Sequence, residues 1–477
     1  MDGQAISQKI VATDQAWSIE QHAIDPIPLK DRHGSPVDLF RMWVGANVNY
    51  VVLITGVMVY AAGLSFWQAV SAVLAGNMIG CAVLGLSSLM GPKTGSTSAM
   101  TSRVAFGQLG SFIPKLASLI SALSWFSINS VVATDALLDL LKLAGLNQSF
   151  MMWIALGLVL VGEIFLAVFG HATIIAAEKW IALVLSALFA GILFFILPHI
   201  QIHQTLFGMV TQHASFAVWM VTLGVVASYP IGWTNYASDY SRYFPARTDP
   251  KKIALCAGGG QFVALCFCEI IGILFAIALG GQLGNDPVGQ LTQFLPNWFL
   301  VPVLVAIILG GIAANVPNGY TASLGLLALR IPITRITSLG IITLFTVCFR
   351  IATIIYGNFF GVYESFLSYM IFWTAPWAAI IITDYFMRKG EYSSSDLMKW
   401  GTGRYWYGNG LFGPGIIAFV VGIISCVVFS NSPTYVSPFM MRYFPDAGDL
   451  SFEMGMIVSA ALYYGLSVRS SGYRKSL

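Results

Sequence analysis

Within its long apolar runs the chain carries few side chains able to do polar chemistry, and they are grouped. Trp125 and Asn129 stand four residues apart, Asn315 and Asn318 flank Pro317, and Trp233 follows closely on Tyr229 and Pro230. Residues three or four apart share one face of a helix, so each group is presented as a unit. An amide brings both a donor and an acceptor. An indole brings a flat face on which another aromatic ring can stack. Together they suit a flat, uncharged ring with donors and acceptors along its edge. Carboxylates also enter apolar segments, among them Glu163 and Glu269 near the middle, Asp135 and Asp139 toward one end. An ionised carboxylate at mid-span costs about 2.5 to 3.5 kcal/mol, so its presence points to function, and the chemistry it offers is carrying a proton. Glu269 is the first candidate and Glu163 the second. Each of these side chains also has a plainer role open to it, packing for Trp125 or a helix-helix hydrogen bond for a carboxylate.

Other chemistries find little support. There is no HExxH, no GxSxG and no paired histidine and carboxylate within a span, which argues against a membrane-embedded enzyme. His199, His203 and His213 share one loop without an accompanying carboxylate or thiolate, so no metal site is expected, and no cofactor motif is present. The six cysteines all fall in apolar segments and form no CxxC pair, as expected of reduced, packed thiols. The net charge of +3 gives no reason to expect a nucleic-acid partner.

The elements that must position these groups are membrane helices. Of the 477 residues 57% are hydrophobic and 9% charged, with a mean hydropathy of +0.76, against about 25% charged in soluble domains. Runs of about 20 apolar residues, enough for a hydrocarbon core of about 30 Å, recur along the chain. Twelve spans are expected: 41–64, 68–90, 115–141, 150–170, 179–198, 215–237, 253–281, 298–327, 336–356, 360–386, 412–430 and 451–467. The chain then divides into a cytosolic tail (1–40), a core of ten spans (41–390), two additional spans (391–467) and a second tail (468–477). The first tail lacks the pattern of a cleaved signal peptide. With both ends cytoplasmic, all but Lys142, Arg350 and Arg442 of the 24 basic residues fall inside, as the positive-inside rule requires of a plasma or inner membrane protein.

Helix-breaking and polar residues enter spans one (Asn47, Asn49, Gly56), six (Tyr229, Pro230, Gly232, Trp233) and eight (Gly310, Gly311, Asn315, Pro317, Asn318). Spans one and six are five apart, as are three and eight. Interrupted segments in corresponding positions mark a transporter of inverted repeats with its site near the bilayer midplane. The expected fold is therefore all-α and polytopic, five plus five spans and two C-terminal helices, with span eight broken at Pro317.

Several stretches resemble the nucleobase:cation symporter family, and most closely its purine and cytosine permease branch. They are Ala46 to Asn49 and Gly63 to Trp67, then Gly91 to Gly95 with Ser102, Arg103, Phe106, Gly107 and Gly110. Further matches are Trp125 to Asn129, Ser238 to Tyr243, and Pro317 with Asn318. The resemblance runs from about residue 40 to 390. It implies a substrate site lined by Trp125 and Asn129 on span three, an aromatic on span six, and Asn318 preceded by Pro317 on span eight. The span-six aromatic is Trp233, with Tyr229 or Pro230 as the other registers.

The resemblance also implies import of cytosine or a purine by cation symport. A related heterocycle such as allantoin or a vitamin precursor is the alternative substrate. Sodium-coupled members that it resembles carry hydroxyls on span eight where this chain has Ile312 and Ala313. With fewer oxygen ligands for a hard cation, the coupling ion expected here is the proton. Asp239 and Arg242, at the cytosolic edge of span six, are expected to form a structural or gating pair.

Overall fold

The computed structural model describes residues 24–476 apart from 168–170, 202–204, 206–213, 282–283, 285, 287, 330–334 and 357–358. His203 and His213 lie outside the described residues. Among the described residues the expected spans fall on helices, span one on a bent pair. Seven described helices are long and apolar enough to cross a bilayer, and an eighth span forms if the bent pair Pro36–Asn47 and Tyr50–Ala61 is counted as one. Three shorter apolar helices, Met151–Phe165, Gly340–Ile355 and Gly413–Val428, and the helix Ser451–Arg469 fall on the expected spans four, nine, eleven and twelve.

Span one starts earlier than its apolar run because Ser35 and Asp38 close a capping box around Pro36. It breaks by 65° between Asn47 and Tyr50. The asparagines make the break tolerable by satisfying backbone groups that apolar surroundings would leave open. Asn49 Oδ1 accepts from the Val52 N–H at 3.1 Å, its Nδ2 donates to the Ala46 carbonyl at 3.0 Å, and Asn47 Nδ2 donates to the Trp43 carbonyl at 2.8 Å.

Span six runs as an α-helix over Phe216–Gly232, tightens to a 3-10 turn over Trp233–Tyr236, and resumes over Ala237–Ser241. Span eight departs from expectation. It is one helix, Asn297–Ala328, with Pro302 and Pro317 in its interior. Proline removes a single N–H, and in a helix this buried the surrounding packing holds the course.

The helices associate in two groups. Spans one, two, six and seven pack on each other, and spans three, four, five and nine pack around span eight. Span ten leans on span six and carries spans eleven and twelve on its other side. Within the first group, backbones approach through glycines: a Cβ on Gly56 would fall 2.0 Å from the Glu269 carbonyl oxygen, and one on Gly272 would fall 2.0 Å from that of Leu53. Such small-residue contacts replace the hydrophobic drive that lipid cannot supply. Five of the six cysteines are buried or half-buried, whereas Cys348 on span nine is exposed toward lipid rather than packed. A thiol is apolar enough for that position.

Candidate substrate site

The two helix groups meet at an aromatic and amide cluster halfway along spans three, six and eight. Trp125 and Trp233 are both buried, and their rings stack on each other with centroids 6.0 Å apart and planes 23° apart. Tyr229 and Phe366 approach Trp125 edge-on at 4.9 and 5.0 Å, and Trp43 approaches Trp233 edge-on at 5.8 Å. Tyr229 thus lies beside the Trp125–Trp233 stack, while Trp233 forms its second plane. A ligand can therefore enter between the indoles only when they separate. The Nε1 of Trp125 is buried without a hydrogen-bond partner.

Beside the rings lies a continuous hydrogen-bonded array. Asn129 Nδ2 and Asn318 Nδ2 each donate to the side-chain oxygen of Asn315 at 3.1 Å. The other end of the Asn315 amide donates to Glu163 Oε1 at 2.7 Å, with the Phe126 carbonyl at 2.8 Å and Ser130 Oγ at 3.0 Å also in reach. Ser130 Oγ lies 2.8 Å from Glu163 Oε2 and 2.8 Å from the Phe126 carbonyl. The Tyr236 hydroxyl donates to Asn318 Oδ1 at 2.9 Å. All of these polar residues are buried, and such arrays are stable only when their members find partners.

Trp125, Asn129, Trp233, Asn318 and Glu163 are thus brought together, with Pro317 buried one residue before Asn318. Glu269 is not part of this array. It accepts from Asn77 Nδ2 at 2.5 Å through Oε2, its Oε1 has no partner, and its backbone lies against Gly56. Sequence reasoning had Asn315 only as a polar residue of span eight and did not single out Ser130 or Tyr236. The spacing held a signal for one of them: Asn315 is one turn before Asn318.

At one end of the cluster, Asp239 accepts from the Ser98 N–H and from the Thr321 hydroxyl, both at 2.8 Å, and Arg242 donates to the Tyr320 hydroxyl at 2.8 Å. Asp239 and Arg242 therefore each tie span six to span eight. At the opposite end Arg350 pairs with Asp135 at 2.6 Å and Lys142 with Asp139 at 2.6 Å.

A broken first span, two helix groups and a polar-aromatic site at their contact define a multi-pass integral membrane transporter. The fold is that of Mhp1: its inward-facing structure superposes with a TM-score of 0.74 at 16% identity, covering 97% of this chain and 98% of that one. A closed form with bromovinylhydantoin bound, described as a nucleobase-cation-symport-1 family transporter, gives 0.74 at 18% identity, covering 96% and 99%. The chain belongs to the family of permeases for cytosine/purines, uracil, thiamine and allantoin, whose model matches residues 26–450. It is 28% identical to a putative purine-cytosine permease of Bacillus subtilis, over 96% of this chain and 99% of that protein. It is 26% identical to a purine-cytosine permease of Emericella nidulans, over 97% and 91%.

Proposed function

We propose that this protein imports a nucleobase, cytosine or a purine, together with a proton, across a plasma or inner membrane, with both termini cytoplasmic. The observation that carries the reading is the unbroken path from Glu163 through Asn315 to Asn129 and Asn318. The base stacks on Trp125, with Trp233 as the second face once the rings part, and its edge pairs with Asn129 and Asn318.

Glu163 is the better proton carrier because its surroundings serve both protonation states. Ser130 has two acceptors at 2.8 Å but one hydrogen. With Glu163 ionised, the hydroxyl donates to Oε2. With Glu163 protonated, the acid donates to Ser130 Oγ and the hydroxyl hydrogen turns to the Phe126 carbonyl. Asn315 donates to Oε1 in both states, so the amides that face the base keep their orientation. Glu269 has one donor partner and no contact with the site amides, so it ranks second as the coupling group.

Uptake of labelled cytosine, adenine, uracil and allantoin by cells expressing the protein tests the reading. Cytosine or adenine should accumulate above its external concentration, and a protonophore should abolish that accumulation. Accumulation of none of the four, or equilibration without concentration, would overturn it.

A further inference from the structure

Spans two and seven also meet through small residues: a Cβ on Gly85 would fall 2.4 Å from the Ala254 carbonyl oxygen, and one on Gly258 2.5 Å from that of Cys81. On the lipid side of this seam, between helices Phe66–Ser87 and Pro250–Ala278, lies an apolar groove of about 410 Å³. Cys81, Ala82, Gly258 and Gly259 form its floor, and Met78 and Leu255, which are 62% and 74% exposed, form its outer walls. Its lining offers almost nothing to hold water, so within a bilayer hydrocarbon fills it.

Charge distinguishes this groove from an ordinary dent in a lipid-facing surface. Lys251 precedes Leu255 by one turn on the same face, Lys252 adjoins it, and both are exposed. Arg247 is exposed in the loop before this helix. Lys93, from the segment that follows span two, reaches the same loop and donates to the Ala246 carbonyl at 3.2 Å. Asp249 is the one acid in the sequence between Phe244 and Phe262, and its Oδ1 caps the helix by accepting from the Lys251 N–H at 2.9 Å. Lys251 and Lys252 thus open the helix that lines the groove, and Arg247 and Lys93 stand at the loop before it.

We propose that the groove between spans two and seven holds an acyl chain of an anionic phospholipid whose phosphate sits among Lys251, Lys252, Arg247 and Lys93. A zwitterionic lipid would fill the same groove but gain little from the charges. A basic side chain near a membrane surface favours anionic lipid roughly fivefold. The bound lipid would lie against the helix that packs on the broken first span through Gly56.

Native mass spectrometry of the full-length protein with dioleoyl phosphatidylglycerol or dioleoyl phosphatidylcholine tests this. The unmodified protein should retain phosphatidylglycerol in preference, and Lys251→Gln with Lys252→Gln should reduce that retention by roughly 25-fold, about fivefold per lysine. Gly259→Leu should weaken both lipids by filling the groove, since a Cβ there meets only Phe40 Cε2 at 3.9 Å. Ala82→Leu fills it from the other helix at an exposed position and serves if the first variant misfolds. Equal retention of the two lipids by the unmodified protein would overturn the proposal. Loss on lysine replacement with none on groove filling would reduce the effect to diffuse surface charge and overturn it too. A protein dimer that groove filling dissociates would assign the surface to a second copy instead.

Discussion

Asn315 donates its side-chain N–H to Glu163 Oε1 across 2.7 Å. The same amide accepts from Asn129 and Asn318, so the protonation state of one carboxylate and the orientation of both proposed ligand-binding amides meet in a single side chain.

Replacing Glu163 by Gln preserves an acceptor for Asn315 and places a permanent donor toward Ser130, which mimics the protonated acid. Glu163→Gln is therefore expected to bind base and exchange it across the membrane, while the accumulation ratio falls to about one. Counterflow and net uptake in proteoliposomes measure the two separately. Accumulation at the unmodified level would move the coupling group elsewhere, with Glu269→Gln as the next variant.

Asn315→Ala removes the hub. It leaves Glu163 Oε1 and the amides of Asn129 and Asn318 each short of a partner, at about 1 to 3 kcal/mol per buried group. Substrate affinity should fall at least tenfold and the thermal midpoint of the purified protein should drop. Unchanged affinity, read by competition with labelled base, would place the array outside the site.

Asn318→Ala should abolish uptake while the protein remains folded in the membrane, because a ligand edge then faces a methyl group. Tyr236→Phe, which only frees Asn318 Oδ1 from its hydroxyl partner, should cost less, roughly three- to tenfold for a lost neutral hydrogen bond of about 1 kcal/mol. Normal uptake kinetics in Asn318→Ala would remove that residue from the site.

Trp125→Ala should weaken every aromatic substrate, and Trp125→Phe should be milder because stacking needs a π face more than an indole N–H. Equal losses in the two variants would indicate packing alone.

Ile312 and Ala313 offer no side-chain oxygen to a cation, so uptake should depend on the proton gradient and persist when sodium is replaced by potassium or choline. If a protonophore leaves accumulation intact while sodium removal stops it, backbone carbonyls suffice for sodium and the proton reading fails.

Much of this protein is legible in one dimension, for reasons that are local. Hydropathy adds up along the chain, so the apolar segments and the excess of basic residues on alternate loops can be read before any contact is known. Helical periodicity is local too, and it pairs Trp125 with Asn129 and Asn315 with Asn318 on shared faces. Tertiary packing decided what depends on how helices rotate about their axes. Glu163 and Glu269 look alike as lone carboxylates near mid-span, yet span four turns Glu163 onto Ser130 and Asn315, while span seven turns Glu269 onto Asn77 of span two. Pro317 predicts a break when read alone, but the helix runs through it because buried neighbours on both sides hold its course. No local signal distinguishes two indoles that flank a ligand from two that stack on each other; the approach of span six to span three at Trp125 and Trp233 sets that distance.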